Sequence, residues 1–147
     1  MDGKGPTIFF ARSIKYNKVF GGYTQVPYEQ PKWTVDSTYL DDEAFLFSLT
    51  HKTKHQALQN QRHAVKFWRQ YYLIHFGGGA DIAISEKCNR DRSCFSHLGS
   101  NNTTFELPEG IVSTEDATSY FAGAKYFGLD ELEVYSISFV CNRSLLE

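Results

Sequence analysis

The residues with chemistry to offer are three thiols, five imidazoles, a glycine triplet and a scatter of carboxylates. A reactive cysteine needs exposure and a lowered pKa. Cys94 has Arg90 and Arg92 close by in sequence, which favours a thiolate, and it lies in a polar stretch that reads as loop. Its chemistry would be thiol-dependent peroxide scavenging, although neither Cys88 nor Cys141 stands at the close spacing of a redox pair. Tetrahedral zinc takes two pairs of closely spaced ligands. Cys88, Cys94 and His97 are irregularly spaced and the His51–His55 pair has no counterpart, so no metal is expected. Gly77-Gly78-Gly79 lacks both the Gly-x-Gly-x-x-Gly spacing and a Gly-Lys-Ser/Thr ending, which leaves a structural turn and no cofactor. Nothing forms a nucleophile elbow.

Two charged groups remain. Asp81, Glu106, Asp130, Glu131 and Glu133 could in principle supply paired carboxylates, but alternating strands place such residues on a solvated face by default. Lys52, Lys54 and Arg62, with His55 and His63, lie near Trp68 and Tyr71 and could meet an acidic partner surface. Charge runs more often only solvate a face.

Short strands must position these groups. The chain has 147 residues, 16% of them aromatic (12 Phe and 9 Tyr) with a single Met, which favours a β-rich core in one domain. Residues 5–140 form the expected core, with tails at 1–4 and 141–147. Thr7–Ala11 and Val19–Val26 read as a hairpin around Tyr16-Asn17-Lys18. Gly21-Gly22 marks a bulge, a bend or a close approach. Ala44–Leu49 is apolar enough for a central strand buried on both faces. Asp36–Asp42 suits a helical turn, His51–His63 a polar loop, and Cys88–Asn102 a long polar loop. Between Ala57 and Phe76 the apolar spacing fits a helix while the residue types favour strands. Asp81–Ile84 and Thr103–Leu107 read as strands, Ser113 with Asp116 as a helix cap, Tyr126–Gly128 as a turn, and Asp130–Val140 as the closing strand.

A net charge of −2 gives no bulk attraction for nucleic acid or anionic membrane. Three cysteines suggest reduced thiols, and no apolar run approaches ~20 residues, so a cytoplasmic protein is expected.

Phe20-Gly21-Gly22-Tyr23-Thr24, Trp33 and Ala44-Phe45-Leu46-Phe47-Ser48-Leu49-Thr50 together resemble the TLDc domain of the oxidation-resistance proteins. Lys4-Gly5-Pro6-Thr7, Phe76-Gly77-Gly78-Gly79-Ala80-Asp81-Ile82 and Leu132-Glu133-Val134-Tyr135 follow in the family's order. The resemblance implies a two-sheet antiparallel β-sandwich with a few short helices, and strands between residues 64 and 76. It makes Gly21, Gly22, Phe45, Phe47, Glu131 and Glu133 structural signature residues. Asp81, Glu131 and Glu133 are expected to accept backbone hydrogen bonds. The family's usual domain begins further upstream, which would leave a sheet edge open to self-association; the chain resembles protist and fungal members. The function implied is a non-enzymatic interaction module tied to oxidative-stress protection, binding the vacuolar proton-pumping ATPase. Lys52, Lys54, Arg62, Trp68, Gly77, Gly78, Gly79 and Asp81 are the expected partner surface. A thiol peroxidase acting through Cys94 is the alternative.

Overall fold

A computed structural model describes residues 6–26, 37–39, 41–58, 65–67, 72–100 and 103–137. Trp33, Arg62, Trp68 and Cys141 lie outside these. The first sheet contains β1 (Thr7–Ser13), β2 (Val19–Thr24), β4 (Phe45–Ser48), β5 (Thr53–Gln56) and β11 (Leu129–Ser136), in the order β11-β1-β2-β4-β5. The second contains β3 (Ser37–Tyr39), β6 (Val65–Phe67), β7 (Tyr72–Phe76), β8 (Ile82–Ser85), β9 (Cys94–Phe95) and β10 (Tyr126–Phe127), in the order β10-β9-β8-β7-β6-β3. All neighbours are antiparallel, and the two sheets form the expected sandwich.

Alternation explains β1: Phe9, Ala11 and Ser13 point into the core, and Ile8, Phe10 and Arg12 point away. The turn to β2 puts Asn17 at φ 53°, a conformation asparagine tolerates, and the Ser13 hydroxyl accepts from the Lys18 amide at 3.1 Å. On β2, Phe20 enters the core and meets Phe127 edge-on at 5.6 Å and Phe121 at 6.0 Å. Phe9 meets Phe76 at 5.6 Å, and Phe76 meets Phe105 at 5.9 Å. Leu46, Ile82, Ile84 and Leu98 complete a core in which each buried side chain contributes about 1.5–3 kcal/mol. A largely apolar cavity of about 260 Å³ remains between the sheets, bordered by Phe9, Gly22, Val65, Phe76, Leu132 and Val134 among others.

The glycine pair does not bulge. The β1–β2 ladder runs without a register break from Thr7↔Thr24 to Arg12↔Val19, so close approach is the reason for both glycines. A methyl group at Gly21 would overlap the Phe9 carbonyl and the Phe47 ring; one at Gly22 would press on the Phe9 ring.

Several expectations are corrected. Residues 37–39 form β3, paired with β6, in place of a helical turn. The supposed loop 51–63 contains β5, because Thr53–Gln56 alternates, with His55 inward and Lys54 and Gln56 outward. Cys94–Phe95 and Tyr126–Phe127 pair with each other as β9 and β10 where a loop and a turn were expected. Thr103–Leu107 contributes one bridge, Ala57↔Phe105, and no full strand. The central strand of the first sheet is β2, while β4 lies between it and the outer strand β5. Val65–Phe67 and Tyr72–Phe76 are strands, which resolves the helix–strand ambiguity in favour of β-forming residue types. The expected cap is present: Ser113 Oγ accepts from the Asp116 amide at 3.1 Å and opens α1 (Thr114–Thr118). Among the described residues no helix is long and apolar enough to cross a membrane.

Candidate functional site

The register of the first sheet aligns its outward side chains in rows. In one row Glu133 pairs with Phe10, Phe10 with Gly21, Gly21 with Phe47, and Phe47 with Lys54. In the next, Tyr135 pairs with Ile8, Ile8 with Tyr23, Tyr23 with Phe45, and Phe45 with Gln56. Gly21 has no side chain to separate its neighbours, so the rings of Phe10 and Phe47 meet across β2 at 5.4 Å. Contact continues from Phe10 to Tyr135 at 6.0 Å, from Phe47 to Phe45 at 6.2 Å, and from Phe45 to Tyr23, stacked at 5.1 Å. The Lys54 ammonium sits 4.3 Å above the Phe45 ring, a cation–π contact at the end of the row. Five aromatic side chains thus form one band on the outer side of the sheet: Tyr135 is about half exposed, Phe10, Tyr23 and Phe45 are partly exposed, and Phe47 is buried among its neighbours.

The other end of this face is acidic. Arg12 Nε donates to Asp130 at 2.8 Å and its Nη2 to Glu131 at 3.2 Å. Tyr135 Oη donates to Glu133 at 2.8 Å, and that carboxylate raises the phenol's pKa. A recess of about 200 Å³ lies here, lined by Phe10, Ala11, Arg12, Val19, Glu131 and Glu133. Among the described residues Glu131 and Glu133 therefore engage side chains, and not the backbone amides expected from the resemblance.

Asp81 does accept backbone hydrogen bonds. Its Oδ2 takes the amides of Thr104 at 2.9 Å and Phe105 at 2.8 Å, and the Thr103 hydroxyl at 3.1 Å. Burial pushes its pKa up to about 6 against the opposing pull of these donors. The residue is fully buried, so it belongs to neither a solvated face nor a contact surface. Its Oδ1 has no hydrogen-bond partner among the described residues and lies 2.5 Å from where a Gly77 Cβ would stand. Gly77, at φ 87°, opens the turn into β8; Gly78 is exposed and donates its amide to Thr104 Oγ1 at 3.0 Å, and Gly79 is half-buried.

Lys52 is exposed in the β4–β5 turn, at φ 59°. The neighbouring His51 ring stacks on Tyr120 at 4.4 Å. His55 is buried beneath, with Nδ1 3.0 Å from the Glu106 carbonyl and Nε2 2.8 Å from the Thr53 hydroxyl. A carbonyl only accepts, so Nδ1 carries the proton. Burial lowers the His55 pKa, which leaves Nε2 to accept from Thr53 while Tyr120 Oη donates to Thr53 at 2.9 Å. This network ties β5 to the segment after α1. Lys52 precedes β5, whereas Leu58 beyond its other end donates to the Thr104 carbonyl beside Gly78. Lys52 and the glycine turn therefore stand at opposite ends of β5 and do not form one surface.

The premise for Cys94 fails. It lies in β9, fully buried, and burial raises its thiol pKa where exposure and a lowered value were expected. Arg92 instead stacks over Tyr126 at 5.2 Å. Cys88 is half-buried against the core. Among the described residues no three metal-binding side chains cluster.

Of the expected contact residues, Lys54 joins the aromatic face, together with Phe45 and Phe47, which had been read as structural. Phe10, Tyr23 and Tyr135 escaped the sequence reading. Their signal was present, because the outward positions of β1, Ile8 and Phe10, are apolar where a strand solvated on one face would carry polar residues. A family model of the TLDc domain matches residues 1–138. A search of the curated proteins finds no match.

Proposed function

The chain belongs to the TLDc domain family, which is linked to resistance against oxidative stress, and on that premise we propose that it is a non-enzymatic protein-interaction module of the cytoplasm. The observation that carries this reading is the aromatic band Tyr135–Phe10–Phe47–Phe45–Tyr23 on the outer face of the first sheet. Aromatic residues are enriched at the centres of protein interfaces, where they supply large contact area at little conformational cost. Around the buried Phe47 ring, the partly exposed Phe10, Tyr23 and Phe45 and the exposed Tyr135 lie outside the cluster that packs between the sheets. The burial of Cys94 also weighs against thiol chemistry.

The family resemblance makes the vacuolar proton-pumping ATPase the first partner to try. Self-association along β11 draws less support: it is an outer strand among the described residues, but two copies paired there would bring Asp130, Glu131 and Glu133 toward their own kind.

The test uses immobilised wild-type protein and a Lys54→Glu, Tyr135→Ala variant, both challenged with purified proton pump. Capture by the wild type should fall about tenfold or more in the variant, with the melting temperature unchanged. Absence of capture by the wild type would remove the pump as partner. Equal capture by both would remove this face.

A further inference from the structure

We propose that the outer face of the first sheet docks a basic, apolar segment of a protein partner. Apolar side chains of that segment would lie on the aromatic band, and a lysine or arginine would enter the recess at Glu131 and Glu133. This deepens the interaction-module reading and rests on it.

The charge balance of the recess points to a cation. Among the described residues Arg12 is the only cationic side chain lining it, and it is already engaged by Asp130 and Glu131. The lining carries two carboxylates, Glu131 and Glu133, against this one guanidinium, which Asp130 outside the lining also holds, so the recess keeps an excess of negative charge. Glu133 receives only the Tyr135 hydroxyl among the described hydrogen bonds, while an ionised carboxylate can accept about four. An arginine or lysine entering beside Phe10 would meet free acceptor oxygens together with a ring edge and face. The molecule supplies its own precedent at the far end of the band, where the Lys54 ammonium rests on Phe45.

The spacing suits an extended strand-like ligand. The recess and the band lie in adjacent cross-strand rows, and alternate side chains of an extended segment fall on one face. Acidic segments are selected against, because an aspartate or glutamate at the recess would face Glu131 and Glu133 with only Arg12, already paired, as counter-charge.

The probe is a fluorescein-labelled nine-residue peptide of alternating lysine and leucine, with a glutamate-for-lysine counterpart, titrated by fluorescence anisotropy. The lysine peptide should bind the wild-type protein and weaken as salt is raised, and the glutamate peptide should not bind. A Glu131→Gln, Glu133→Gln variant with unchanged melting temperature should lose about tenfold in affinity for the lysine peptide, the scale set by two rim charges. No binding of the lysine peptide, or undiminished binding by the double variant, overturns the proposal. Equal binding of both peptides, lost in Tyr135→Ala, also overturns it while leaving an apolar interaction face in place. Conversely, peptide binding as expected with no capture of the proton pump would fault the choice of partner and spare the recess.

Discussion

At the scale of single residues, Asp81 makes the clearest demand. Its carboxylate is buried, three donors converge on one oxygen, and the pKa is raised to about 6 from 3.8 in the unfolded chain. Between those two values the folded protein binds more protons than the unfolded chain, so this residue makes stability fall as pH rises. The stability is fully present below about 3.8 and lost by the time pH passes about 6, a span worth about 3 kcal/mol. Asp81→Asn keeps an acceptor for the three donors and abolishes the titration. Urea midpoints for the two proteins should therefore converge near pH 4 and separate toward pH 7, with the asparagine variant the more stable. Parallel pH profiles would show that folding leaves the pKa of this carboxyl unchanged.

At the scale of elements, the pairing of β1, β2 and β4 depends on what Gly21 lacks. Alanine there meets a backbone carbonyl, which cannot swing aside, as well as the Phe47 ring; alanine at Gly22 meets only side chains that can rotate. Gly21→Ala should cost about 3 kcal/mol, more than Gly22→Ala, and should separate the Phe10 and Phe47 rings. Denaturant unfolding of both variants would check the order, and a smaller loss at Gly21 would contradict it. The β1–β2 hairpin, β4, β8, β11 and the Ser113 cap could all be read in the sequence, because alternation over four or more residues or a local side-chain bond specifies them. Two elements of two residues, β9 and β10, carry no readable period: β9 exists because it pairs with β8 and β10, and β10 because it pairs with β9. The same limit hid most of the candidate site. Phe45, Phe47 and Lys54 were each conspicuous alone, but the band that joins them to Phe10, Tyr23 and Tyr135 depends on strand register, which no single stretch of sequence records. The residue types alone make Asp81 one more surface acid; the family resemblance adds its backbone hydrogen bonds, but its burial follows from the Gly77 turn folding back toward residues 103–105.

At the scale of the whole molecule, the two faces of the first sheet have different tasks. The inner face supplies Phe9, Phe20 and Leu46 to the shared core, while the outer face carries rings and charges that the core does not use. A net charge of −2 over the whole chain conceals this arrangement, with acids gathered along β11 and Lys54 across the sheet. The pairing of β1 with β11 also has a consequence for how the protein is made. Arg12 and Asp130, joined by an ion pair, are 118 residues apart. At a translation rate of about 5–20 residues per second, β1 is synthesised roughly 6–24 s before its outer neighbour. Throughout that interval one edge of the nascent hairpin and the ring of Phe10 stand uncovered. Ribosome-stalled chains ending before Leu129 should accordingly cross-link to chaperones that hold apolar segments, and chains long enough to expose residue 137 outside the tunnel should let them go.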